Sequence, residues 1–90
     1  MILVSYDIRD DKIRAAFSKF ILRFGERKQY SVYEIKNSPR ILALIESELD
    51  FNFSKKFGEE DSVLIIETSK NCKISRYGFA KHDESDIIVV

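Results

Sequence analysis

The first seven residues constrain the fold of this chain more than any other stretch. Met1 to Tyr6 reads MILVSY, an apolar run with one serine in it, and the polar Asp7 follows directly. A short, nearly continuous apolar run favours a strand buried on both faces over an amphipathic edge strand. The sequence therefore predicts a central first strand that carries Asp7 to the rim of a sheet.

Length and composition limit the class of protein. The chain has 90 residues, enough for one domain, and its 44% apolar content excludes a disordered chain. No apolar run reaches the length of a membrane span, and the first segment lacks the basic start and cleavage site of an export signal. The single cysteine, Cys72, allows no internal disulfide, as is typical of a reducing cytosol. We therefore expect a cytoplasmic protein with no membrane contact.

The charge is unevenly distributed although the formal net charge is zero. Residues 1–45 carry nine lysines and arginines against five acidic residues, whereas residues 46–90 carry six against ten. A polyanion could bind the basic first half, and an ordinary mixed surface is the alternative.

Two helices are predicted from their start signals. Asp10 or Asp11 is a suitable N-cap for the first helix, and we expect Gly25 to end it. Ser38 followed by Pro39 predicts the start of the second helix. The first helix carries an apolar stripe at helical spacing, formed by Ile13, Phe17, Phe20 and Phe24. The second carries Ile41, Leu42, Ile45 and Leu49, with Glu46, Glu48 and Asp50 expected on an acidic outer face.

The remaining segments read as strands. Residues 27–35 are rich in β-branched and aromatic side chains, and their spacing leaves open one kinked strand or two short ones. Residues 62–68 predict a second buried strand and residues 73–79 a further one. This order predicts an α+β fold, a ferredoxin-like βαββαβ sandwich over residues 1–80 with an additional C-terminal strand.

The same pattern predicts a homodimer. Two helices can cover only one face of the sheet, so side chains such as Leu3 or Val4 on the other face would need a partner. The tail, residues 81–90, runs through a charged loop and ends in four apolar residues that would be an exposed edge in a monomer. We expect these residues to pack on the partner subunit: Ile87, Ile88, Val89 and Val90.

Asp7 is the most interesting candidate for chemistry. The chain has no phosphate-binding glycine loop, no histidine and cysteine cluster at metal spacing, and no nucleophile with a nearby base. One reading is that Asp7 caps the turn between strand and helix. The other is that two copies of Asp7, brought together across a dimer axis, hold a Mg²⁺ ion that activates water for attack on a phosphodiester.

Basic and aromatic residues in the first half suit a nucleic acid. The cations that could contact phosphates are Arg9, Lys12, Arg14, Lys19, Arg23, Arg27 and Lys28. Such contacts would be independent of base sequence and would weaken with salt. Tyr6, Tyr30 and Tyr33 could stack on bases, and the alternative for each is a core or interface aromatic.

Several of these residues together resemble the second universal CRISPR-associated protein family. The resemblance covers about the first 35 residues and is carried by these blocks: Tyr6-Asp7, Asp10-Asp11-Lys12 with Arg14, Phe24-Gly25-Glu26-Arg27, and Gln29-Tyr30-Ser31-Val32-Tyr33. There are two departures. Tyr33 stands where the family usually has phenylalanine, and Lys28 stands where an apolar residue is common.

The resemblance implies a small ferredoxin-like homodimer that acts in spacer acquisition, with the C-terminal strand of each chain packed on its neighbour. It implies a partner, the CRISPR integrase (the first universal CRISPR-associated protein), and a double-stranded DNA held by the assembly. It also implies a Mg²⁺-dependent endonuclease activity on RNA or DNA for many members, with the aspartate at the Asp7 position as metal ligand.

Two functional hypotheses follow. The first is a homodimeric nucleic-acid-binding scaffold that bridges integrase dimers and holds protospacer DNA, with Lys12, Arg14, Arg27 and Lys28 as leading phosphate contacts. The second is an active Mg²⁺-dependent endonuclease that uses Asp7. Whether the chain is an enzyme is left open at this point, and a ferredoxin-like module without any role on nucleic acid is a third alternative.

Overall fold

The computed structural model describes residues 1–68 and 72–78. In chain order its elements are β1 (Ile2–Asp7), α1 (Asp11–Leu22), β2 (Gly25–Gln29), β3 (Val32–Ile35), α2 (Pro39–Glu48), β4 (Ser62–Glu67) and β5 (Lys73–Gly78). A π-helical turn and a 3₁₀ turn, Leu49–Phe53 and Ser54–Lys56, follow α2. The predicted domain boundary at residue 80 and the predicted interface Ile87–Val90 lie outside the described residues.

The strands form one antiparallel sheet in the order β2-β3-β1-β4-β5. β1 lies at the centre, between β3 and β4, as the apolar run at the start of the chain predicted. The first four strands have the order of a ferredoxin-like sandwich, and β5 extends the sheet beside β4. The predicted fold class is therefore confirmed. No helix in the described ranges is long and apolar enough to cross a membrane.

Alternate residues of β1 point to opposite faces of the sheet, as the period of a strand requires. Ile2, Val4 and Tyr6 are buried on the helix side, whereas Leu3 and Ser5 are only half-buried on the other side. Leu3 lies opposite Ile66 of β4 on that second face. Leu3 was therefore predicted on the correct face, and Val4 belongs instead to the core beneath the helices.

Side chains cap the start of each helix where the sequence predicted it. The carboxylate of Asp10 accepts hydrogen bonds from the backbone N–H groups of Lys12 and Ile13, at 2.9 and 3.0 Å. Ser38 accepts from the N–H of Ile41, and Pro39 occupies the first turn, where its missing donor is not needed.

Gly25 was wrongly predicted to end α1. The helix ends at Leu22, and Gly25 opens β2 without a positive φ. A Cβ at this position would lie 2.0 Å from the carbonyl oxygen of Glu34 on β3. The glycine is required by the close approach of two strands and not by a helix C-cap.

The core lies between the helices and the sheet. Phe17 and Ile21 of α1 and Ile45 of α2 are fully buried, as is Leu49 just after α2. Ile13, Phe20 and Phe24 pack at the margin of this core, as do Ile41 and Leu42. The predicted stripes thus mark the buried faces of both helices. Ile21, which is as fully buried as Phe17 on α1, was not among the predicted residues.

Residues 27–35 belong to a β2–β3 hairpin with an irregularity in register between Arg27 and Gln29. Arg27 pairs with Tyr33, whose side chain is buried on the helix side. Glu26 and Glu34 pair on the opposite face, and Lys28 reaches both carboxylates. Strand alternation therefore places two neighbouring cations, Arg27 and Lys28, on opposite faces of the sheet.

Candidate nucleic-acid interface

Asp7 ends β1 and is exposed at the rim of the sheet. Other residues cap the loop that follows. Asp10 accepts hydrogen bonds from the first N–H groups of α1, and Asp61 accepts one from the N–H of Arg9 at 2.8 Å. Within residues 1–68 and 72–78, the Asp7 carboxylate makes no hydrogen bond or ion pair. The turn-capping interpretation of Asp7 is therefore wrong, and its oxygens are available to a ligand.

Arg14 fastens the loop between β1 and α1. Its guanidinium donates to the carbonyl oxygens of Ile8 at 3.1 Å and Arg9 at 3.3 Å, and it forms an ion pair with Asp11. The hydrogen bond to Asp11 raises the pKa of Arg14 above its ordinary value. A half-buried cation of α1 is thus held against the loop that follows Asp7.

Two adjoining clefts lie beside this loop. One, of about 420 Å³, runs between α1 and the β2–β3 hairpin. The other, of about 580 Å³, lies at the rim and includes Asp7 and Arg9. Both are lined by Tyr6, Arg14 and Tyr30, so the two clefts form one groove. Arg14 and Lys19 of α1 face Arg27 of β2 across its inner part.

Arg27 is held in place by a polar cluster beneath it. The Tyr33 hydroxyl accepts from Nε and Nη2 of Arg27 at 2.9 and 2.7 Å, and Ser18 Oγ accepts from Nη2 at 3.1 Å. The Tyr33 and Ser18 hydroxyls are also bonded to each other at 2.5 Å. Tyr30 covers the same guanidinium, whose carbon lies 5.9 Å from its ring centre.

The two buried tyrosines have opposite shifts in acidity. Burial alone would raise the pKa of Tyr33, but hydrogen bonds with Ser18, Tyr6 and Arg27 together lower it below its ordinary value. Burial is the main reason that the pKa of Tyr6 is raised, and its contact with Tyr33 adds to this. The cluster thus favours negative charge on the Tyr33 oxygen, as expected beside a guanidinium.

The structure contradicts the prediction that Tyr6 and Tyr33 stack on bases. Their exposed fractions are 7% and 0%, because strand alternation places both rings on the helix side. The two rings stack on each other at 5.9 Å, and Tyr6 meets Phe17 edge to face at 5.4 Å. Tyr30, at the hairpin tip, is 76% exposed and is the tyrosine of the groove that a base could reach.

Lys12 and Lys28 do not join the other predicted phosphate contacts in this groove. Lys12 is exposed on the first turn of α1 but does not line either cleft. Lys28 forms ion pairs with Glu26 at 3.3 Å and Glu34 at 3.7 Å. Of the four leading cations, Arg14 and Arg27 are therefore brought together, and the other two lie elsewhere.

Two residues of the site were not found from the sequence. Ser18 lies four residues after Arg14, so helical spacing could have placed it on the same face. Asp61 had no such signal, because its link to Arg9 joins loops that are 52 residues apart.

A magnesium site cannot be built from the described part of one chain. Residues 1–68 and 72–78 contain no group of three or more His, Cys, Asp or Glu side chains placed to hold a metal ion. Asp7 offers one carboxylate, whereas Mg²⁺ prefers six oxygens and retains several waters. A site that uses Asp7 therefore needs a second Asp7 or the oxygens of a bound phosphate.

Comparisons with known proteins agree with this architecture. A family model described as CRISPR associated protein Cas2 matches residues 1–75. The chain belongs to the Cas2 family. The resemblance in its first 35 residues thus extends into β5.

Individual Cas2 relatives match over most of their length. A protein of Methanospirillum hungatei named CRISPR-associated endoribonuclease Cas2 2 is 30% identical, over 98% of this chain and 97% of its own. A Thermus thermophilus protein named CRISPR-associated endoribonuclease Cas2 is 27% identical, over 97% of this chain and 95% of its own. The crystal structure of Streptococcus pyogenes Cas2 at pH 6.5 superimposes with a TM-score of 0.61 and 27% identity, covering 78% of this chain and 87% of the other.

Proposed function

We propose that this protein is a homodimeric nucleic-acid-binding scaffold of CRISPR spacer acquisition, which bridges integrase dimers and holds protospacer DNA in the prokaryotic cytoplasm. The observation that carries the proposal is the groove in which Arg14 of α1 faces Arg27 of β2 beside the exposed Tyr30. Membership of the Cas2 family supports the pathway.

The groove has the chemistry of a backbone-binding site. Guanidinium groups match phosphate oxygens in geometry and charge, and an exposed aromatic ring can stack on any base. Lys19 adds positive charge at the inner end of the groove, and Arg9 lines its outer end, where it also pairs with Glu60 at 3.4 Å. Binding through these residues would be independent of base sequence and would weaken steeply as salt rises.

A second copy would cover the sheet face that no helix covers among the described residues. Leu3 lies opposite Ile66, and Ile66 lies opposite Ile74, so an apolar row crosses three strands of that face. All three side chains are half-buried. Such a row is typical of a surface that pairs with a partner, and this supports the homodimer.

Assembly and acquisition test the scaffold function. The purified protein, mixed with its CRISPR integrase and a labelled DNA duplex, is expected to form one larger complex on size-exclusion chromatography.

Asp7→Ala is expected to leave spacer acquisition intact, because a scaffold needs no metal ligand. If Asp7→Ala abolished acquisition while the dimer persisted, the scaffold-only function would be wrong. If the wild-type protein showed no salt-dependent binding to DNA or RNA, any role on nucleic acid would be excluded.

A Mg²⁺-dependent endonuclease is the second candidate. It is favoured by Asp7, an exposed carboxylate that the described residues do not use to stabilise the fold, and by the endoribonuclease names of the relatives. In this function the Asp7 residues of two chains would hold the ion, which would supply a Lewis acid for phosphodiester hydrolysis. Arg14 and Arg27 would bind the backbone of the substrate.

The matched pair Asp7→Asn and Asp10→Asn tests this candidate. We expect Asp7→Asn to abolish cleavage that depends on Mg²⁺ or Mn²⁺, with an unchanged melting temperature. Asp10→Asn changes the same charge three residues away but keeps an effective N-cap, so it should cleave like the wild-type protein. Cleavage that survives Asp7→Asn would come from a contaminating nuclease and would refute the activity.

A further inference from the structure

The hydrogen bonds of Arg27 account for part of its donor capacity and leave the rest for a ligand. A guanidinium has five N–H groups. Nε donates to Tyr33, and Nη2 donates to both Tyr33 and Ser18, so three of the five have partners. The two N–H groups on Nη1 have none among residues 1–68 and 72–78. The inner edge of the guanidinium is thus fixed while Nη1 remains available.

The acceptors that fix Arg27 are themselves rigid. The Tyr33 side chain is fully buried and packs against Tyr6, so its hydroxyl cannot follow a moving arginine. That oxygen accepts two bonds from Arg27 and forms a third hydrogen bond, with Ser18 Oγ, at 2.5 Å. Ser18 is in turn held by α1. The exposed Arg27 side chain is therefore held by hydroxyl groups from two elements, β3 and α1.

We infer that Tyr33 is a positioning residue for nucleic-acid binding: its buried hydroxyl, with Ser18, fixes the Arg27 guanidinium at the wall of the groove so that Nη1 contacts a backbone phosphate. The inference rests on the proposed nucleic-acid-binding function. Tyr33 was expected to touch a base directly, whereas here it acts through Arg27.

The benefit of this arrangement is entropic. A free arginine side chain on the surface loses rotamer freedom when it contacts a phosphate, and that loss weakens binding. Arg27 has already lost much of this freedom in the folded protein, since two hydroxyls and two aromatic rings hold it. Removal of the Tyr33 hydroxyl would restore the freedom while leaving the charge and the buried ring in place.

A double-mutant cycle on the full-length protein tests the inference. Binding of a fluorescent DNA duplex is measured by anisotropy at several salt concentrations for the wild type, Tyr33→Phe, Arg27→Gln and the double variant. We expect Tyr33→Phe to weaken binding by about 2- to 10-fold, but not when Arg27 is already glutamine. Arg27→Gln should lower the slope of log K against log salt by about 0.9, the value for one phosphate contact.

Two further variants serve as controls for this interpretation. Arg40→Gln removes an exposed cation on α2, away from the groove, and should leave affinity unchanged apart from a small general effect of charge. Ser18→Ala removes the second acceptor of Nη2 and should behave as Tyr33→Phe does, with a smaller loss. It serves as the test if Tyr33→Phe fails to fold.

The outcomes separate the inference from the function. If Tyr33→Phe had no effect, or weakened binding equally with and without Arg27, Tyr33 would have only a structural role and the inference would be overturned while the function stood. If the wild-type protein did not bind the duplex, or an RNA of the same length, the proposed function and the inference would both be overturned.

Discussion

Gly25 shows at the scale of one residue how closely β2 and β3 are packed. A Cβ there would meet the backbone of β3, at 2.0 Å from the Glu34 oxygen and 2.6 Å from Cα of Ile35. Backbone atoms in a paired strand cannot move aside as the end of a flexible side chain can.

Gly25→Ala is therefore predicted to destabilise the fold by about 1–3 kcal/mol or more, as overpacking does. Urea unfolding followed by circular dichroism would measure it. Gly58→Ala is the matched control, because its Cβ would meet nothing closer than the Asp61 carboxylate at 3.7 Å. Equal losses for the two variants would show that strand spacing is not the reason for Gly25.

The residues of the groove were predictable only in part. Asp7, Arg14 and Arg27 could be selected from the sequence because their charges stand out at element ends. The burial of Tyr33 could not be predicted, since it depends on which face of β3 meets the helices. Its contact with Arg27 further depends on the register of a hairpin that the spacing left open.

At the scale of elements, a hydrogen bond connects the edge strand β5 to α2. The Tyr77 hydroxyl donates to the carboxylate of Glu46 at 2.8 Å. Burial, and then this bond, raise the pKa of Tyr77 well above its ordinary value of 10.0. Glu46, expected on an acidic outer face, is thus half-buried and bonded instead.

This bond gives stability a specific pH dependence. Between pH 10.0 and the raised pKa, the unfolded chain loses the Tyr77 proton and the folded chain keeps it. The contribution of Tyr77 is therefore complete below pH 10 and is lost as the pH rises above it.

We expect Tyr77→Phe to cost about 1 kcal/mol at neutral pH and to lose less further stability than the wild type between pH 9 and 11. Urea midpoints across that range would measure the difference. Tyr30→Phe, at an exposed position, should follow the wild-type curve. Parallel curves for Tyr77→Phe and the wild type would contradict the assignment.

The starts of the helices were more predictable than the register in which the strands pair. Asp10, Ser38 and Pro39 act locally, through bonds within one helical turn, so the sequence alone identifies them. The irregular register between Arg27 and Gln29 has no local signature, whereas Lys28 lies on the face opposite Arg27 by ordinary strand alternation. Lys28 was assigned to the phosphate contacts from its charge, although the structure places it against Glu26 and Glu34.

At the scale of the whole molecule, the helices cover one face of the sheet and leave Leu3, Ile66 and Ile74 on the other. If this face joins two copies, a charge in its middle should separate them. Ile66→Lys is predicted to yield a folded monomer in sedimentation velocity, whereas the wild-type protein is expected to sediment as a dimer.

Leu44→Lys is the control for this change, because Leu44 is already exposed on α2. It should leave the sedimentation of the protein unaltered. A dimeric Ile66→Lys variant would show that the copies do not meet through this face.

The buried carboxylate of Asp61 joins two distant loops, accepting from the N–H of Arg9 at 2.8 Å and from that of Gly58 at 2.7 Å. The two bonds use the two oxygens of one carboxylate, Oδ1 for Arg9 and Oδ2 for Gly58, so a rotation of the Asp61 side chain breaks both. In a deuterium exchange experiment, these two amides are therefore expected to become labelled together, through one shared opening event. The end of the molecule that carries Asp7 would then open as a single cooperative unit, and its catalytic or binding geometry would persist until that whole unit opens.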